Sequence, residues 1–90
     1  MIGFIHCATI GNWNDIINEQ LDKIKSSSLY EKTNKIIIGK LGEDVLYIND
    51  PKIQINENLD LGLGEAFTLN ILWNKCQTED CKVWYIHTKG

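Results

Sequence analysis

Hydrophobic positions fall into short blocks separated by polar turns, and the blocks switch between two rhythms. Residues 2–10 are apolar almost throughout, β-branched and aromatic, with no Gly or Pro after Gly3. Runs of this kind belong to strands covered on both faces by helices. Gly11-Asn12 ends the run. Asn12 stands at the N-cap position of the next segment, with Asp15 three residues on as a variant of the capping box. Residues 13–28 then read as a helix. Ile16, Ile17, Leu21 and Ile24 share one face, Asp15, Glu19, Asp22, Lys23 and Lys25 face outward, and Glu19–Lys23 is a favourable i,i+4 pair. Ser26-Ser27-Ser28 stops the helix.

Lys35–Leu41 is the second buried strand, built on Ile36-Ile37-Ile38. Residues 45–48 form a short apolar run of strand character, and Asp50-Pro51 marks a turn. Residues 52–56 alternate around Ile53 and Ile55 as a half-exposed strand, and residues 58–64 form a loop. A second helix spans residues 65 or 66 to 76. Ala66, Leu69, Trp73 and Cys76 make its apolar stripe, which Phe67 and Ile71 broaden. Val83–His87 is the last strand. The order β-α-β-(β)-β-α-β predicts a three-layer α/β fold with a small, mostly parallel sheet and right-handed crossovers. Residues 1–90 make a single domain. Ligands of such sheets sit at the carboxyl ends of the strands, where strand order reverses. That rule selects Thr9, Ile10, Gly11 and Asn12 after the first strand and His87, Thr88 and Lys89 after the last.

Composition narrows the partners. Twelve acidic residues face nine basic ones, for a net charge of −3, which argues against a nucleic-acid footprint. No apolar run approaches the ~18 residues of a membrane span. Residues 1–10 lack a basic flank and are interrupted by His6, unlike a signal peptide. All nine basic residues are lysine. Any phosphate bound here meets ammonium groups, backbone N–H groups or helix N-termini, never a guanidinium fork. Cys7, Cys76 and Cys81 form no C-x-x-C pair. They read as reduced thiols of a cytoplasmic protein rather than as a Cys76–Cys81 bridge or a zinc site.

His87-Thr88-Lys89 places an imidazole, a hydroxyl and an ammonium at the end of an apolar strand, the donors that a diphosphate needs. The same residues also suit a plain polar strand exit. Gly11 and Asn12 suit close backbone approach of an anion at a helix N-terminus, or an ordinary capped loop. His6 reads as a satisfied core histidine, Trp73 and Trp84 as core, and Trp13 as packing the helix start. The acids Glu43-Asp44 and Glu79-Asp80 read as solvated turns. Gly62-Leu63-Gly64 and Gly39-Lys40 each lack a glycine required of a phosphate loop. No catalytic residue and no metal ligand is legible.

The opening F-I-H-C-A-T-I-G-N-W, the middle F-T-L-N-I-L-W and the closing W-Y-I-H-T-K-G together resemble a family of glycosyltransferases with a GT-A-like, nucleotide-diphospho-sugar transferase core. The closing motif is the most specific of the three. The resemblance implies that Thr9, Gly11, Asn12, His87, Thr88 and Lys89 bind a nucleotide-diphosphate sugar whose sugar passes to a glycan or other acceptor. The chain departs from that family in length and in lacking a D-x-D motif. It is therefore expected to be the nucleotide-binding N-terminal part of a larger domain and inactive alone. Any divalent metal would be held by ligands beyond Gly90. A rival expectation is a non-catalytic interaction or nucleotide-binding module. In a strand order such as 3-2-1-4 the last strand is an unprotected edge, open to pairing with a partner strand.

Overall fold

The computed structural model describes residues 1–78, 80 and 82–88. Four strands form one all-parallel sheet: β1 (Ile2–Ala8), β2 (Lys35–Leu41), β3 (Ile53–Asn58) and β4 (Val83–His87), in the order β3-β2-β1-β4. Helices α1 (Trp13–Lys25) and α2 (Ser28–Lys32) lie between β1 and β2 in the chain, and α3 (Ala66–Thr78) lies between β3 and β4. The fold is three-layer α/β. No helix among the described residues is long and apolar enough to cross a membrane.

The central position of β1 explains its composition. Every residue from Ile2 to Cys7 is buried. Side chains alternate across the pleat. Ile5 and Cys7 join Ile36 and Ile38 of β2 against Ile17, Leu21 and Ile24 of α1. On the opposite face, Ile2 and Phe4 join Ile37 beneath Ile71 and Leu72 of α3. The Glu19–Lys23 pair forms at 3.1 Å, but both side chains are exposed, so it contributes little.

Three expectations are corrected. The serine run does more than stop α1. The Ser27 hydroxyl accepts the Leu29 N–H at 3.2 Å and starts α2, whose Leu29 and Tyr30 pack on the α1 core. The apolar run at residues 45–48 is not a strand. Leu46 and Ile48 turn toward the core while Val45 and Tyr47 are 84% and 83% exposed, so the alternation there reports burial without strand pairing.

The third correction is the rotation of α3. Its expected inward stripe faces solvent: Leu69 is 45% and Trp73 64% exposed, and Ala66 and Cys76 are exposed as well. Thr68 points inward instead, with no exposed surface, followed by half-buried Ile71 and Leu72. The cause is close approach. A Cβ on Gly39 would collide with the Thr68 hydroxyl, so only glycine lets the helix settle here. The settled helix then bonds Thr68 to His6 of β1. Trp84 is half-buried on the α1 side and donates to the Thr33 hydroxyl at 3.0 Å.

Candidate functional site

The connection from β1 runs to one side of the sheet and the connection into β4 arrives on the other. The strand order therefore reverses between β1 and β4. A cleft of about 640 Å³ opens there, at the carboxyl ends of the two strands. Its lining comes from four places. The β1 exit gives His6, Ala8, Ile10, Gly11 and Asn12, and α1 gives Ile16. The turn before α3 gives Leu61, Gly64 and Glu65, and the β4 exit gives His87 and Thr88.

The local sequence explains the shape. Gly11 has φ of 61°, the left-handed conformation in which the chain leaves β1 and turns into α1. Asn12 occupies the N-cap position, but its side chain makes no capping bond, which corrects the expected capping role. The first N–H groups of α1 thus lack a side-chain cap from this residue. The α3 side is built similarly. Asp60 accepts the Gly62 N–H at 2.8 Å, closing a short 3-10 turn at Leu61–Leu63 that delivers Gly64 and Glu65 to the cleft. Both long helices of the fold therefore direct their N-terminal ends at one cavity. Each carries a partial positive charge there.

The expected site residues divide. Gly11, Asn12, His87 and Thr88 all line the cleft. Thr9 does not line it. Its hydroxyl donates to the Leu41 carbonyl at 2.9 Å and fixes the β1 exit against the end of β2. Thr88 is buried, and its backbone N–H donates to the His6 carbonyl at 3.0 Å, extending the β1–β4 pairing past the strand end. The His87 carbonyl accepts from the Gln20 side chain at 2.9 Å, so α1 also anchors this corner. Lys89, like Cys81 of the conceivable Cys76–Cys81 bridge, lies outside the described residues.

Two residues that the linear pattern did not select complete the site. His6 and His87 are direct register partners on neighbouring strands, so their side chains leave the same face of the sheet. His6 is 5% exposed, with Nδ1 2.7 Å from the Thr68 hydroxyl. Burial pushes its pKa below the usual imidazole value, Glu65 opposes that shift and His87 adds to it, so His6 is neutral at neutral pH. Glu65 accepts from the Tyr85 hydroxyl at 2.8 Å. Burial and that carboxylate keep the Tyr85 phenol protonated well above its usual range. The available signal was parity: His6 lies two strand residues before Ala8, and His87 ends β4 in register with it.

Away from the cleft, Lys40 is committed to structure. Lys40 is 2% exposed, and its ammonium bonds the Gly42 carbonyl at 3.1 Å and Glu57 at 3.2 Å. No group of three or more His, Cys, Asp or Glu among the described residues is arranged to hold a metal ion. Comparison with family models, curated proteins and solved structures finds no match to this chain.

Proposed function

We propose that this cleft binds the nucleoside diphosphate of a nucleotide-sugar donor, and that the chain is the donor-binding part of a glycosyltransferase-like protein. The observation that carries the reading is the convergence of two helix N-termini on one cavity at the switch point of a parallel sheet. The resemblance of the closing W-Y-I-H-T-K-G segment supports it, because Trp84, Tyr85, Ile86 and His87 of that segment lie in β4 and Thr88 follows at its exit.

In this reading the N–H groups at Gly11, Asn12 and the start of α1 meet the diphosphate. His87 and Thr88 meet it from β4, and Lys89 adds the ammonium charge. Ile10, Ile16 and Leu61 supply apolar wall for the rest of the nucleotide. The diphosphate leaving group of glycosyl transfer gains negative charge as the glycosidic bond breaks, and donors fixed in advance stabilise it.

Calorimetric titration of the chain with uridine and guanosine diphosphates tests this. Saturable binding of one of them is expected. Lys89→Ala should weaken it by about ten- to a hundredfold, the value of one charge-assisted hydrogen bond. Binding unchanged in Lys89→Ala removes that residue from the site.

A different observation favours a second reading as an interaction module. Strand β4 is a sheet edge, and α3 turns Leu69 and Trp73 to solvent. A partner adding a strand to β4 would use its free backbone groups. That reading expects no nucleotide binding and a complex abolished by proline at Tyr85.

A further inference from the structure

Glu65 puts a carboxylate on the wall of the cleft, where it repels the phosphates that the site is read to bind. Two elements hold it there. Its backbone carbonyl accepts the Leu69 N–H at 2.9 Å, which places it at the very start of α3. Its Oε1 accepts the Tyr85 hydroxyl at 2.8 Å. Tyr85 is itself fixed, opposite Phe4 in the β1–β4 register and packed on the core of Ile2, Phe4 and Ile37. Chemistry sets the direction of the bond, since an ionised carboxylate only accepts and the Tyr85 phenol is held in its protonated form. Tyr85 uses one of about four lone-pair sites on the carboxylate, so Glu65 can accept from a ligand whatever else it touches. The two helix starts at the cleft therefore differ. At α3 the carboxylate offsets the partial positive charge of the helix. At α1, Asn12 makes no capping bond, and Asp15, the acid of the first turn, does not line the cleft.

We propose that Glu65, positioned by Tyr85, accepts a hydrogen bond from a sugar hydroxyl of the bound donor and so sets its direction in the cleft. Phosphates lie at the start of α1 and hydroxyls at the start of α3. The proposal deepens the donor-binding reading and rests on it for the identity of the ligand. A carboxylate repels phosphate oxygens and attracts neutral donors, and hydroxyls are the most numerous neutral donors of a nucleotide sugar. The hydroxyl belongs either to the ribose of the nucleotide or to the sugar it carries. Tyr85 is a positioning residue. A glutamate side chain loses rotamer freedom when it meets a ligand, and the bond to Tyr85 takes that loss before binding.

Amide-shift titrations of the whole chain with paired probes test the proposal. Uridine diphosphate is compared with its 2′,3′-dideoxy analogue, and uridine diphosphate glucose with uridine diphosphate. In one pair the hydroxyl-bearing member should bind about ten- to a hundredfold more tightly, the value of one hydrogen bond to a charged group. A gap in the first pair assigns the hydroxyl to the ribose, and a gap in the second assigns it to the carried sugar. Glu65→Ala should close the gap, and Tyr85→Phe should narrow it. Neither should weaken the binding of inorganic pyrophosphate, and Glu65→Ala should tighten it, because a negative charge leaves the cleft. A merely structural role would weaken every probe together. No gap in either pair, a gap that survives Glu65→Ala, or an equal loss of pyrophosphate affinity overturns the role of Glu65. A base preference that Glu65→Ala removes without any hydroxyl gap assigns the carboxylate to the base edge and overturns it as well. Absent binding of pyrophosphate and of both nucleotides in the wild type overturns the diphosphate reading instead. Uridine, dideoxyuridine and methyl glucoside then decide the proposal alone. Binding that depends on hydroxyls and on Glu65 upholds it, and no such binding overturns it too.

Discussion

His6 couples the site to stability. Its folded-state pKa lies below the unfolded value of 6.5, so the unfolded chain binds the proton more readily. Stability is therefore complete above 6.5, declines as pH falls below it, and stops declining beneath the folded pKa. Urea unfolding at stepped pH should show this slope in the wild type, and His6→Gln should flatten it. A second residue acts at lower pH. Burial raises the Asp50 carboxyl, but the Lys52 N–H, the Tyr30 hydroxyl and Lys25 outweigh it and the net shift is downward. Its contribution is present above 3.8 and is lost as pH falls through the lower folded value. Asp50→Ala strands the Tyr30 hydroxyl and the Lys52 N–H. It should cost about 1–3 kcal/mol and raise hydrogen exchange in α2, both readable by denaturation and exchange at neutral pH.

Among the elements, α3 is the most instructive. Lysine at Leu69 or Trp73 should change stability by no more than about 0.5 kcal/mol, because those side chains already face solvent. Leu72→Ala should cost about 2 kcal/mol by opening the contact with Phe4 and Ile37. Thermal melts of the three variants check the rotation of the helix. Reversed costs would mean that the stripe of Leu69 and Trp73 faces the sheet. Linear pattern alone favoured that stripe, since Thr68 is polar and its burial depends on Gly39 and His6, remote in sequence. The strands were more legible. Lys35–Leu41 and Val83–His87 occur with the expected bounds, because β-branched and aromatic residues concentrate in each between polar flanks. The run at residues 45–48 misled for the complementary reason: alternation marks which side chains are buried but not whether a neighbouring strand is available. Of the site, the loop residues Gly11, Asn12, His87 and Thr88 were legible from the topology rule, whereas His6 and Glu65 needed the strand register and the turn before α3.

At the scale of the whole molecule, one architecture accounts for the position of the cleft and for its chemistry. A parallel sheet with crossovers on both faces brings the starts of α1 and α3 to the same end of the sheet, and the reversal of strand order parts them around β1 and β4. The net charge of −3 makes this convergence matter, since the molecule as a whole does not attract anions. Binding should weaken as salt rises, because the attraction is local and electrostatic. The most direct test is an amide-shift map of the chain titrated with uridine and guanosine diphosphates. The account predicts saturable shifts at Gly11, Asn12, Gly64, Glu65, His87 and Thr88, on both sides of the switch point at once. No saturable shift, or shifts confined to the Leu69 and Trp73 face of α3, would contradict it.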